Sequence, residues 1–233
     1  YMHRNLNGYD WILQIDADGF YQSPVRGMSL REFMGAVQRF GYNIIDGKWF
    51  DFHPTEADDQ SMESPLERIR YCRVEPYGPM PQHKIFRYHP SIDFFTSLGH
   101  ECQRDHPLVA PVKYIYSHYP WVSFENGVKK IFKDRKPRYV ERKDNPIYHM
   151  HYLELLPRKD DLVKCSSDLY RFDEGEETVS KGVFHRMMFR DRLRPVVRAF
   201  RKAARKGLSM ARPGQSGANQ GSDQKCPAPA VLA

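Results

Sequence analysis

The chain lacks any apolar run near the ~20 residues that a membrane-spanning helix needs. It also lacks a Cys-x-x-Cys pair. Its four cysteines, Cys72, Cys102, Cys165 and Cys226, are widely spaced. That spacing argues against a structural zinc site and against a disulfide scaffold, so a reducing, cytoplasmic compartment is expected. No internal repeat is visible. The opening stretch, Tyr1–Asp10, is polar, so no secretory leader is expected there. A strand pattern begins almost at once, and a preceding segment is therefore expected to be missing. Acidic residues nearly vanish at the far end. From Lys181 onward there are 12 Lys+Arg against 2 Asp+Glu, so the overall net charge of +7 resides in the tail. A basic tail suits an anionic partner such as a membrane surface, nucleic acid or a polyanionic glycan. What remains is 40% hydrophobic and 13% aromatic, enough to bury a core.

Local patterns divide the chain. Residues 9–15 read as a buried strand ending in Asp16-Ala17-Asp18-Gly19. Ser29 with Glu32 forms a capping box for a helix to about Phe40, and Gly41 stops it. Strands are expected over 42–45 and 48–53, joined by Asp46-Gly47 as a hairpin turn. Residues 54–82 read as a long loop with one short helix. Short strands follow near 83–88, 93–98 and 112–116, then a helix over 123–133. Residues 137–147 are polar, and 148–156 fit either a strand or a helix start. A 3.6-residue apolar period predicts a helix over 183–210 whose Phe/Met/Val stripe packs on the domain as far as residue 200. After Pro213 the composition turns to Gly, Ser, Gln and Pro and predicts disorder. The expected organisation is a catalytic domain over 1–180, a basic amphipathic helix over 181–212 and a disordered tail over 213–233.

The sharpest feature is the strand that delivers Asp16 and Asp18, one residue apart, to its C-terminal end. In open α/β sheets ligands bind at that end. Two close carboxylates repel unless a cation lies between them. Mg²⁺ or Mn²⁺ takes such carboxylates together with phosphate oxygens and offsets the charge on a departing nucleoside diphosphate. An Asp-rich turn closing a strand is the plainer alternative. Apolar strand then Asp-x-Asp-Gly also resembles the first motif of haloacid-dehalogenase-type phosphatases, with Asp16 as nucleophile. That family expects Thr or Val where Phe20 stands, and its later Lys maps only loosely onto Lys84.

Further motifs narrow the choice. Trp11, Asp16, Asp18, Phe20, Pro24 and Leu30 come first, followed by Phe50-Asp-Phe-His-Pro54 and Lys84-Ile-Phe-Arg87. Gly99-His100, His118-Tyr-Pro120 and Ser123, Glu125 and Lys130 complete the series. In order and spacing, over roughly residues 9–155, these resemble bacterial glycosyltransferases of the family 2-like group. The resemblance implies an α/β fold of GT-A type, a mixed sheet flanked by helices, without its N-terminal nucleotide-binding segment. It also implies a metal-dependent, inverting transfer of a sugar from a nucleotide-sugar to a glycan or lipid-linked acceptor, in envelope or extracellular polysaccharide synthesis.

Carried onto this chain, the resemblance makes Asp16, Asp18 and His118 the Mn²⁺ or Mg²⁺ ligands, with Asp18 the direct one and His100 a substitute. Arg87 and Lys130 become phosphate contacts, and Glu101 or Asp105 the general base. His149-x-His151 is a possible second metal pair, although packing is the plainer reading. Trp49, Tyr119 and Trp121 could stack on a sugar, with core filling as their default. Beyond residue 200 the basic helix could touch an anionic membrane. A non-enzymatic module that binds membrane or nucleic acid is the third reading, and nucleic acid ranks below the other partners.

Overall fold

In the computed structural model, residues 11–76, 80–93, 100–137 and 155–210 are described; within 200–210, Lys202 alone has a described side chain. Among these residues the fold is mixed α/β, with two sheets and six α-helices. The small sheet is antiparallel, in the order β1 (Trp11–Leu13), β6 (Ile85–Arg87) and β3 (Ile44–Ile45). The larger is mixed, in the order β2 (Gly19–Gln22), β7 (Tyr114–His118), β4 (Gly47–Phe52), β5 (Tyr71–Val74) and β8 (Tyr170–Arg171). Only β4 and β7 run parallel.

Alternation along β4 and β7 builds a core on each face of this sheet. Trp49, Tyr114 and Tyr116 face helix α1 (Leu30–Arg39) through Phe33, Met34, Ala36 and Val37, and helix α6 (Lys181–Met210) through Phe184 and Met188. Phe50, Phe52 and Ile115 face the other way, onto Ile69, Cys72, Tyr119 and Phe172. Burying a side chain such as Phe33, Phe50 or Phe184 completely contributes roughly 2 kcal/mol each. Helix α1 follows its sequence signals. Ser29 Oγ accepts from the Glu32 N–H, the Glu32 carboxylate accepts from the Ser29 N–H, and Gly41 takes φ +78° where the helix stops.

Other expectations change. Asp46-Gly47 is not a hairpin turn, because β3 and β4 lie in different sheets. Asp46 Oδ1 accepts from the N–H groups of both Gly47 and Gln82, stapling one sheet to the other. Gly47 is there for close approach, since a Cβ would lie 2.7 Å from the Tyr114 ring. The loop expected over 54–82 holds a short helix, α2 (Pro65–Arg68), and also strand β5. The helix after Ser123 starts as α3 (Phe124–Val128) and widens into a π-helix over Lys129–Arg135. Around 93–98 only Asp93 is described, bridging to Gln103. Helix α4 (Lys159–Leu162) and helix α5 (Glu174–Glu177) have no counterpart among the expected elements. His149, His151, Cys226, most of 137–156 and the tail 213–233 lie outside the described residues.

The chain divides into two compact units, Tyr1–Arg192 and Leu193–Ala233. Phe184 and Met188 are core residues of the first unit. The expected packing stripe ends there. Phe189, Leu193, Val196 and Val197 are exposed. Among the described residues no helix is long and apolar enough to cross a membrane.

Candidate functional site

Sheet pairing assembles the site. Strand β7 lies between β2 and β4, and its last residue, His118, pairs with Gly19 on one side and Asp51 on the other. Tyr119 N–H donates to the Asp18 carbonyl, which fixes the loop after β1 against the end of β7. His118 therefore sits between two carboxylates. Its Nδ1 is 2.6 Å from Asp51 Oδ1, and its Nε2 is 3.6 Å from Asp18 Oδ2. On its other oxygen Asp51 meets His53 Nε2 at 3.0 Å.

Each member of the Asp pair has its own lysine. The Lys84 ammonium is buried and ion-paired with Asp16, on the same oxygen that accepts from the Tyr116 hydroxyl at 2.9 Å. Lys130, in the π-helical turns, donates to Asp18 Oδ2 and to the Pro120 carbonyl, both at 2.6 Å. The charge expected to demand a metal is thus met within the chain. Among the described residues no group of three or more His, Cys, Asp or Glu is arranged to hold one ion.

The electrostatics follow from these contacts. Burial alone would raise the Asp18 and Asp51 pKa values. The His118 ring close to both, the Lys130 hydrogen bond to Asp18 and the His53 ring beside Asp51 outweigh it and hold both carboxyls well below their ordinary range. Burial would lower the His118 pKa, but the nearby Asp18 carboxylate and the hydrogen bond to Asp51 outweigh it and hold it at about 9. The ring is an imidazolium at neutral pH. Burial, and then the Asp16 charge, keep the Tyr116 phenol protonated. His100 is the opposite case. Burial and the Lys84 charge lower its pKa, so it is neutral beside the cluster. Its Nδ1 lies 3.4 Å from the Gln82 side-chain oxygen.

Asp16, Asp18, His118 and Lys130 are brought together, with His100 close by. Arg87 is not among them. Register sets it opposite Trp11, at the far end of β6 from Lys84 and Asp16. Asp105 is exposed beside Ser91 and Arg104 near that far end. Glu101 lies near His83, whose imidazole feels its charge. Trp49, Tyr119 and Trp121 are core residues, and Tyr119 stacks on Phe52 with ring centroids 4.6 Å apart.

Sequence reasoning misses the roles of Asp51, Tyr116 and Lys84. The available signal is polar residues inside an apolar strand, Phe50-Asp-Phe-His53 above all, because a buried charge needs a partner. Gly19 also has a local cause. A Cβ there would lie 2.7 Å from the Tyr116 ring that reaches Asp16. Comparison of the chain with protein-family models, with curated proteins and with solved structures finds no match.

Proposed function

We propose that the cluster is the diphosphate end of a metal-dependent glycosyltransferase on a GT-A-type scaffold, using a nucleotide-sugar donor. The observation that carries this reading is the aim of His118. Asp51 occupies its Nδ1, which leaves Nε2 facing Asp18 Oδ2 at 3.6 Å. Two donors at that separation can share one cation at ligand distances of about 2.1 Å. A carboxylate behind a ligating imidazole is the usual way to fix its tautomer. Carboxylate oxygen with one imidazole nitrogen would suit Mn²⁺ better than Mg²⁺, which prefers oxygen throughout, and a diphosphate would add further oxygen donors. The fit requires Lys130 to leave Asp18 and His118 to lose its proton. A bound dication would supply charge stabilisation to a departing nucleoside diphosphate.

The chain's own residues would do the rest. Asp18 and His118 would hold the ion, with Asp51 orienting the ring. Released from Asp18, Lys130 can grip a phosphate oxygen. Its place in a π-helical stretch supports this, since such stretches recur at functional sites. Lys84 and Tyr116 fix Asp16 at the rim. Glu101 remains the candidate base for the acceptor hydroxyl; Asp105 and Arg87 have no part in this reading.

The test is calorimetric titration with nucleoside diphosphates and nucleotide-sugars, in Mn²⁺ or in chelator. Binding should require Mn²⁺, disappear in Asp18→Ala and His118→Ala, and persist in Asp105→Ala. Binding indifferent to Mn²⁺ and to Asp18 would sink the reading, as would no binding at all. The buried Lys84 beside Asp16 favours a second reading, a phosphatase with Asp16 as nucleophile. Phosphate release from a small phosphoester, abolished by Asp16→Asn, would put that reading first.

A further inference from the structure

The part of α6 beyond Arg192 belongs to the second unit. Leu193, Val196 and Val197 are exposed there by 42%, 49% and 44%. Their i, i+3, i+4 spacing puts them on one stripe of the helix, and Phe200 continues that spacing in the sequence. From Leu193 to Arg212 all seven ionisable residues are Lys or Arg.

Three occupants could cover such a face. Nucleic acid would satisfy the cations but leave the aliphatic stripe in water. A second copy of the helix would bury the stripe but set seven positive charges beside seven more. An anionic bilayer satisfies both at once. The aliphatic side chains enter the boundary between headgroups and acyl chains, and the guanidinium and ammonium groups lie at the lipid phosphates.

We infer that α6 from Leu193 onward is an interfacial helix that docks the protein on an anionic lipid surface. This goes beyond the catalytic reading and does not depend on it, since it rests on the apolar stripe and the charges of the helix itself.

Sedimentation of the full chain with vesicles tests it. Phosphatidylcholine containing phosphatidylglycerol should bind the chain, and phosphatidylcholine alone should not. The triple variant Leu193→Ser, Val196→Ser, Val197→Ser keeps every charge and should lose at least about tenfold in vesicle affinity. Arg198→Ala should lose about fivefold at low salt. Unchanged thermal unfolding of both variants would show that the losses are local. Equal binding to neutral vesicles would overturn the inference, as would a triple variant that binds like the wild type. A short RNA that binds more tightly than the vesicles and ignores the triple substitution would assign the face to nucleic acid instead. Light scattering that shows a dimer, dissolved by the triple substitution, would assign it to a second copy.

Discussion

Charge is concentrated at two places in this chain, the tip of the larger sheet and the helix after Lys181, and the two are built in opposite ways. At the tip, Asp16, Asp18 and Asp51 interleave with Lys84, Lys130 and His118, sign against sign, in a half-buried setting. Along the helix one sign dominates and the described arginines from Arg192 to Arg198 are exposed. The helix has the larger net charge, but the tip has the larger electrostatic consequence. Water screens the exposed charges, whereas the buried ones depend on each other. The density of charged letters therefore does not mark where charge matters to the fold. Alternation of sign across paired strands does.

The sharpest way to break this contrast is at Asp51. It is 6% exposed and accepts contacts from two histidines. Removing one partner of a buried charged pair costs about 3–5 kcal/mol, because the other is left desolvated and alone. Asp51→Leu should lower the urea-unfolding free energy by about 3 kcal/mol. Asp51→Asn keeps an acceptor and should lose less. A loss below about 1 kcal/mol in Asp51→Leu would mean that the tip is no more interdependent than the helix.

A second, smaller effect comes from pH. The folded-state pKa of His118, about 9, lies above its ordinary value of 6.5. The folded state therefore holds this proton more tightly than the unfolded chain does. That contribution is fully present below pH 6.5 and fades as pH rises through 9. A tenfold difference in proton affinity corresponds to about 1.4 kcal/mol, so unfolding free energy measured in chelator should fall by about 2–3 kcal/mol between pH 6.5 and 9.5. In His118→Gln that slope should flatten. An equally steep slope in the variant would place the pH sensitivity elsewhere.

These residues also show how much is legible in the sequence. Helix α1 is, because Ser29, Glu32 and Gly41 are local signals that act within a few residues. Asp16, Asp18, His118 and Lys130 read as one site, and the structure draws those four together. Their mutual wiring is not legible. The Asp16–Lys84 and His118–Asp51 contacts exist only because distant strands pair in one register, and no local pattern fixes that register. The same blindness makes Asp46-Gly47 look like a hairpin and hides β5 inside an apparent loop. Tyr71-Cys-Arg-Val74 becomes a strand because β4 offers it an edge, not because its own composition demands one. The place of Arg87 follows from the same pairing. Lys84 and Arg87 are three residues apart, which puts them at opposite ends of a short strand, and β1 brings Asp16 to only one of those ends.

The smallest effect, and the cleanest, belongs to an arginine of the second region. Arg198 lies on the exposed face of α6, among cations of its own kind. Removing it deletes no described buried contact and relieves a little like-charge repulsion, while alanine slightly favours the helix. Those small terms should leave the melting temperature within about 2 °C of wild type. The same substitution is expected to weaken vesicle binding about fivefold, so one residue would separate a charge that serves a surface from a charge that serves the fold. A melting temperature lowered by more than about 4 °C would show Arg198 wired into the protein as Asp51 is, and the contrast between the two regions would collapse.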